Sequence, residues 1–127
     1  MLPADVPAPR PTPHPGEPGD LHVSVSPGTP PVVAACGEVD IQSAPELREE
    51  LLRVIRRRGP QVTIDLAGVT FLDCAGINVL LATRRRAQLE DGWVRLVRAP
   101  PQVRRMLSLL NLERAFGLSV SWPRARR

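Results

Sequence analysis

The chain has no lysine and no tyrosine, and only 3% of its 127 residues are aromatic. Its core must therefore be built from aliphatic side chains, which suits a small α/β or α-helical module. All 17 basic residues are arginines, and the formal net charge is +4. A basic chain raises the question of nucleic-acid binding. The arginines, however, are spread over several predicted helices without interleaved aromatic residues, so we expect no nucleic-acid partner.

Long apolar runs and cysteine clusters are also missing. No stretch of about 18 apolar residues is present. The N-terminus lacks the basic-then-apolar order of a secretory signal, so we expect a cytoplasmic protein without membrane insertion. The two cysteines, Cys36 and Cys74, are too few for a disulfide framework or for a zinc site. We therefore expect reduced thiols and no metal.

The composition divides the chain into three parts. Residues 1–20 hold seven of the 15 prolines and show almost no apolar periodicity, which is typical of a disordered leader because such a segment cannot bury enough surface to offset its ordering entropy. Residues 21–120 have the patterning of one folded domain. Residues 121–127 form a short basic tail.

The folded part begins with the signature of a β-hairpin. The stretch LHVSVS, residues 21–26, alternates apolar and polar side chains and predicts a half-buried strand that ends at Pro27-Gly28. A second apolar run predicts a strand over residues 32–36. The short spacing between the two runs indicates that these strands pair antiparallel.

A helix with start and stop signals follows the hairpin. Ser43 is a predicted N-cap, Pro45 lies in the first turn, and Glu46 completes a capping box with Ser43. Gly59-Pro60 ends the helix. One apolar stripe at helical spacing faces the core and comprises Leu47, Leu51, Val54 and Ile55.

Strands and helices then alternate. Residues 61–66 predict a buried strand, and residues 67–71 a connection. A broadly buried helix begins after Asp73 and ends at the turn Asp91-Gly92. Residues 93–97 predict a further strand, and a last helix begins after Pro101. Its core side chains are Val103, Met106, Leu107 and Leu110, and residues 118–120 predict a short final strand.

This order predicts a single α/β domain. Its sheet is mixed but mostly parallel, with four to five strands and an N-terminal hairpin, and it packs against three to four helices. Sites in such sheets favour the carboxyl ends of the strands. The turn at residues 37–40 and the segment at residues 70–76 both lie at such ends, so we expect them to meet.

Cys74 is the first candidate for chemistry, because a helix N-terminus favours a thiolate. A thiol enzyme usually needs a base, and neither His14 nor His22 has a recognisable dyad spacing. Packing as a small apolar residue is the alternative. No phosphate loop, metal cluster or catalytic triad is present. We therefore predict no catalytic residue, no cofactor and no enzymatic activity.

Two acids at the strand ends are candidates for contact residues. Asp73 could cap the following helix or contact a partner, and Asp40 could be an ordinary turn acid or an exposed contact. The region from residue 38 to residue 50 is acidic in an otherwise arginine-rich chain. Such a run is either a solvated face or a docking surface for a basic partner.

Three blocks of sequence together resemble the STAS-domain family of bacterial anti-sigma factor antagonists. They read GEVDIQSAPELREELL, VTIDLAGVTFLDCAGINVLL and VRLVRAPPQVRRMLSLLNLERAF, and the resemblance extends from about Leu21 to Val120. It implies a STAS-like fold and a non-enzymatic signalling role. The implied partner is an anti-sigma factor that is also a serine kinase, whose capture frees a sigma factor for transcription. A homodimer is also compatible with it.

The resemblance assigns roles to particular residues. The family's kinase phosphorylates the second serine of a D-S-S-G-L pattern at the start of the second helix. Asp73 and Gly76 match that pattern, whereas Cys74 and Ala75 replace the two serines. Ala75 has no hydroxyl, so we predict partner binding without phosphorylation there. The predicted partner-binding residues are Asp40, Asp73, Cys74, Ala75, Gly76 and Asn78.

Alternatives to this reading remain at the sequence level. The same fold could serve as an accessory of a membrane transporter or as a scaffold in a signalling complex. A redox sensor that uses Cys36 and Cys74 would require their Cα atoms to lie within about 7 Å. Thr70 and Ser43 are candidate hydroxyls at the two strand ends, and a turn residue and an N-cap are their simpler roles.

Overall fold

The computed structural model describes residues 20–118. Its elements are β1 (His22–Val25), β2 (Val32–Val39), α1 (Ala44–Arg58), β3 (Gln61–Leu72), α2 (Cys74–Leu89), β4 (Trp93–Val97), α3 (Pro101–Leu109) and a 3-10 turn (Arg114–Phe116). The predicted leader, apart from Asp20, and the predicted basic tail lie outside the described residues. Within them, Leu118 is not in a strand, and the rest of the predicted final strand lies outside.

The four strands form one sheet in the order β1-β2-β3-β4. β1 is antiparallel to β2, as the hairpin pattern predicts, and β2, β3 and β4 are mutually parallel. Because both crossovers move in the same direction along the sheet and such crossovers are right-handed, α1 and α2 lie on the same face. The predicted stripe of α1 is buried in full. No helix in residues 20–118 is long and apolar enough to span a membrane.

β2 and β3 are both longer than the sequence pattern predicts. β2 continues from the predicted end at Cys36 to Val39, and β3 includes the predicted connection at residues 67–71. Register shifts lie between Ala34 and Cys36 and between Gly37 and Glu38. The predicted ends of the two strands were wrong because they rest on glycines, which usually end a strand. Here the glycines lie beside register shifts, and the pairing of the strands continues past them.

α3 differs from its predicted pattern at the C-terminal end. Val103 and Leu107 are buried and Met106 is partly buried, but Leu110 is 50% exposed. The helix ends at Leu109, and Asn111 with a φ of 58° turns the chain away. Leu110, the fourth residue of the predicted stripe, therefore does not pack in the core. At the other end of α3, Gln102 Nε2 donates to the Thr70 carbonyl at 2.8 Å, which places the start of this helix beside the end of β3.

Candidate functional site

The carboxyl ends of β2 and β3 meet at one edge of the sheet. Val39 and Leu72, the last residues of the two strands, are register partners. The Asp73 amide donates to the Val39 carbonyl at 3.2 Å and ties the two strand ends together. The segments that follow, with Asp40 in one and Asp73 in the other, are therefore neighbours, as the sequence predicts. We call residues 38–43 and 70–78 the acidic corner.

Asp73 caps α2. Its backbone is extended, and Oδ1 accepts from the Ala75 amide at 2.9 Å and from the Gly76 amide at 3.3 Å. An aspartate in this position satisfies two amides that the first helical turn leaves without partners. The capping role considered for Asp73 is thus confirmed, and the residue remains only partly buried.

Gly76 allows α2 to begin directly against the strand ends. A Cβ at this position would lie 2.9 Å from Leu72 Cγ and 2.9 Å from Val39 Cγ1, both of them in buried side chains. Real Cβ atoms essentially never make so close an approach, so a larger residue here would displace its neighbours. Gly76 is itself buried. Its place in the corner is to set the position of the helix.

The first turns of α2 expose small side chains. Cys74 and Asn78 are four residues apart and exposed, so they lie one above the other on the solvent face of the helix. Ala82 continues this exposed row, and Ala75 beside it is partly buried. A surface of this kind lets another protein approach the helix closely.

Asp40 organises the turn between β2 and α1. Its Oδ1 accepts from the Gln42 amide and the Ser43 amide, both at 3.0 Å. The Ser43 hydroxyl donates to the Glu38 carbonyl at 2.7 Å and accepts from the Asp40 amide at 3.0 Å. The pKa of the Asp40 carboxyl lies below its ordinary value of 3.8, chiefly because the Ser43 amide donates to it. Asp40 therefore stays ionised at neutral pH.

The predicted capping box of α1 is wrong. Ser43 precedes the first residue of the helix, but its side chain makes no cap hydrogen bond. Its hydroxyl lies instead between the Glu38 carbonyl, to which it donates, and the Asp40 amide, from which it accepts. The Glu46 amide bonds the backbone carbonyl of Ser43, at 3.0 Å. The side chains of Asp40 and Ser43 thus bond backbone groups of the turn, and neither caps the helix.

Two exposed apolar residues at the corner were not predicted from the sequence. Ile41 follows Asp40 and is 76% exposed, and Phe71, near the end of β3, is 46% exposed. Phe71 is the register partner of Glu38 and lies beside it on the same face of the sheet. The one signal for Ile41 in the sequence is that an aliphatic residue interrupts a polar turn, outside the stripe of the following helix.

Another polar feature lies on the face of the sheet opposite α1 and α2. Arg98 contacts Asp65 with two nitrogens, Nε at 3.3 Å from Oδ1 and one terminal nitrogen at 2.5 Å from Oδ2. The pair borders a recess of about 170 Å³ that Ser24 and Cys36 also line. The pKa of the Arg98 guanidinium is raised, chiefly by its hydrogen bonds to Asp65. This recess is separate from the acidic corner.

The two thiols are too far apart for a direct bridge. Cys36 lies three residues before Val39 in β2, which spans about 10 Å. Cys74 follows Leu72, the register partner of Val39, and so lies past that end of the strand pair. A disulfide requires Cα atoms within about 7 Å. The register partner of Cys36 is His22, whose buried Nε2 has no hydrogen-bond partner among residues 20–118. His14 lies outside that range.

Comparison with known proteins identifies relatives of this chain. Residues 22–120 match the family model described as "Mlab, STAS domain". An anti-sigma factor antagonist from Mycobacterium paratuberculosis is 30% identical with a TM-score of 0.72, and the alignment covers 84% of this chain and 91% of that one. The anti-sigma-B factor antagonist of Bacillus subtilis (strain 168) is 28% identical over 87 residues, which cover 68% of this chain and 79% of the relative.

The structures of SpoIIAA share the fold at lower identity. The unphosphorylated form is 17% identical with a TM-score of 0.67, and the alignment covers 79% of this chain and 90% of that one. The phosphorylated form, from Bacillus, is 16% identical with a TM-score of 0.61, covering 79% and 93%. At this identity the likeness concerns the fold alone. Together with the closer relatives, it confirms the predicted STAS-like architecture.

Proposed function

This chain belongs to the STAS domain family, and from that membership we propose that it is an anti-sigma factor antagonist whose partner is an anti-sigma factor of the serine kinase type. By occupying that partner, it would release a sigma factor for transcription. The antagonists from Mycobacterium paratuberculosis and Bacillus subtilis support the general role. The kinase class of the partner is the finer part of the proposal.

The acidic corner is the observation that carries the proposal. It brings Asp40 and Asp73 to one edge of the sheet and leaves Cys74 and Asn78 exposed beside them. Each carboxylate accepts a hydrogen bond from a backbone amide two residues further along the chain. Its position is therefore fixed, and little conformational freedom is lost when a partner docks. Small exposed side chains on α2 permit the close contact that a protein interface requires.

We further propose that phosphorylation at position 75 does not switch off this chain. Ala75 offers no hydroxyl at the position that the family resemblance marks as the phosphate acceptor. The hydroxyl of Ser43 is engaged by the Glu38 carbonyl and the Asp40 amide. Thr70 is exposed but lies three residues before Asp73, within β3 rather than on α2.

A binding experiment tests the partner assignment. Purified anti-sigma factors of the serine kinase class, from the organism that encodes this chain, are titrated calorimetrically with the wild type. We expect one of them to bind. Asn78→Arg should lower the affinity of that complex by at least about tenfold, because it places a bulky cation in the surface that contacts the partner. The matched control is Gln88→Arg, the same change at an exposed position in the last turn of the same helix. Equal affinity of both variants would contradict docking at the acidic corner.

A labelling experiment tests the phosphorylation claim. Wild type and Ala75→Ser are incubated with the bound anti-sigma factor and ATP and then analysed by mass spectrometry. We expect phosphate on residue 75 of the variant and none in the acidic corner of the wild type. The phosphorylated variant should bind more weakly, because a phosphate adds about −1.5 to −2 charges at the interface. Phosphate on Thr70 or Ser43 of the wild type would overturn the claim.

A further inference from the structure

Ile41 is one of several large apolar residues that are exposed in the described part of the chain. Its side chain is 76% exposed at the apex of the turn between β2 and α1. That turn is held by Asp40 and Ser43, whose side chains make hydrogen bonds on both sides of Ile41. The position of its backbone is therefore fixed although its side chain contacts little of the domain. An apolar group presented on a fixed turn loses little entropy when it enters a pocket.

The two sequence segments that form the acidic corner carry acidic residues and no basic residue. Residues 37–47 contain three acids and no basic residue, and residues 70–83 contain one acid and no basic residue. This segregation occurs in a chain with 17 arginines. Arg104 and Arg105 of α3 follow Gln102, which contacts the Thr70 carbonyl at the β3 end of the corner, whereas Ile41 follows β2. A surface that pairs with Ile41 would therefore meet carboxylates at its border.

We propose that Ile41 is an apolar anchor that enters a hydrophobic pocket with a basic rim on the anti-sigma factor. The pocket receives the aliphatic side chain, and arginine or lysine side chains at its border pair with Glu38, Asp40 and Asp73. This inference rests on the proposed function and adds to it the chemistry of the partner's surface. Interface energy is concentrated in a few central apolar and aromatic contacts with a polar surround, and Ile41 with its carboxylates has that arrangement.

The test compares Ile41→Ala with a matched control. Leu89→Ala truncates another aliphatic side chain, which is 77% exposed at the last residue of α2, about 16 Å along that helix from Asn78, the nearest residue of the acidic corner. Both variants are titrated into the purified anti-sigma factor that binds the wild type. We expect Ile41→Ala to bind about 50-fold more weakly, from the loss of three buried carbons. Leu89→Ala should bind like the wild type.

Two further measurements separate the outcomes. Thermal unfolding should be the same for Ile41→Ala and wild type, because the side chain is exposed in the free domain. Raising the salt concentration should weaken the binding of wild type and of Ile41→Ala by the same factor, since the carboxylates that meet the basic rim are present in both. Unchanged affinity of Ile41→Ala, together with weak binding by Asn78→Arg, would overturn the anchor and leave the proposed function standing. Failure of the wild type to bind any such anti-sigma factor would overturn both.

Discussion

The helices that follow β2 and β3 begin at the same edge of the sheet but in different ways. α2 begins directly after Asp73, with Gly76 pressed against the ends of both strands. α1 begins only after a turn of four residues, in which Asp40 and Ser43 form a hydrogen-bonded loop and Ile41 projects into solvent. The start of α2 depends on close packing in addition to the Asp73 cap, and the start of α1 depends on polar contacts within the turn.

This difference separates two tasks within the acidic corner. The start of α2 is a surface of small residues whose position is set by buried neighbours. The turn before α1 is a fixed loop that presents larger side chains. A change at a buried position of the α2 start, such as Gly76, should therefore act mainly on stability, whereas a change in the turn should act mainly on charge and contact.

The largest effect is expected from Gly76→Val. Its added carbons would overlap Val39 and Leu72, which already lie 2.9 Å from the position of a single Cβ. Overpacking of this kind destabilises by about 3 kcal/mol, measurable as a lower midpoint of urea unfolding. Ala82→Val, on the exposed row of the same helix, is the control for β-branching and should change stability little. Similar losses in the two variants would show that packing at the strand ends does not set the start of α2.

A smaller effect is expected from Asp73→Ala. The amides of Ala75 and Gly76 would lose their acceptor, at a cost of about 1 kcal/mol in the free energy of unfolding. Asp73→Asn keeps a side-chain oxygen in the same place and should retain most of the stability. If Asp73→Ala unfolds at the same urea concentration as wild type, the cap contributes nothing and the α2 start depends on packing alone.

The smallest effect should come from Asp40→Asn, and it should depend on pH. The folded pKa of Asp40 is below its ordinary value of 3.8, so ionisation favours the folded state. The stabilisation is present above the unfolded pKa and is lost as the pH falls through the folded pKa. Wild type should therefore be more stable than the variant above about pH 5 and equal to it in strong acid. Urea unfolding across this range checks the sign, and a difference that grows on acidification would refute it.

The sequence pattern predicts local features of this fold better than features that involve two strands. The stripe of α1, its end before Gly59 and the cap at Asp73 each depend on neighbours within a few residues. The first two were predicted, and the cap was one of two roles considered for Asp73. The extensions of β2 and β3 were not, because an irregularity around Gly37 or Gly68 is a property of the pairing between strands. The side-chain periodicity within one strand does not indicate such an irregularity.

The acidic corner was predicted only in part for the same reason. Asp40 and Asp73 could be placed together from the parallel alternation of elements. The hydroxyl of Ser43, however, bonds the carbonyl of Glu38 at a strand end, whereas its sequence context matches a capping box. The exposure of Ile41 likewise depends on the path of the turn. Hydrophobicity alone would place an isoleucine in the core.

The hydrogen bonds of Asp73 also bear on which ligands α2 can accept at its N-terminus. Free amides at the start of a helix commonly bind phosphate or sulfate. Here the amides of Ala75 and Gly76 already donate to a carboxylate within the chain, and a second anion would have to displace it against its charge. These two amides are thus not available to a free phosphate or sulfate as long as the Asp73 cap is in place.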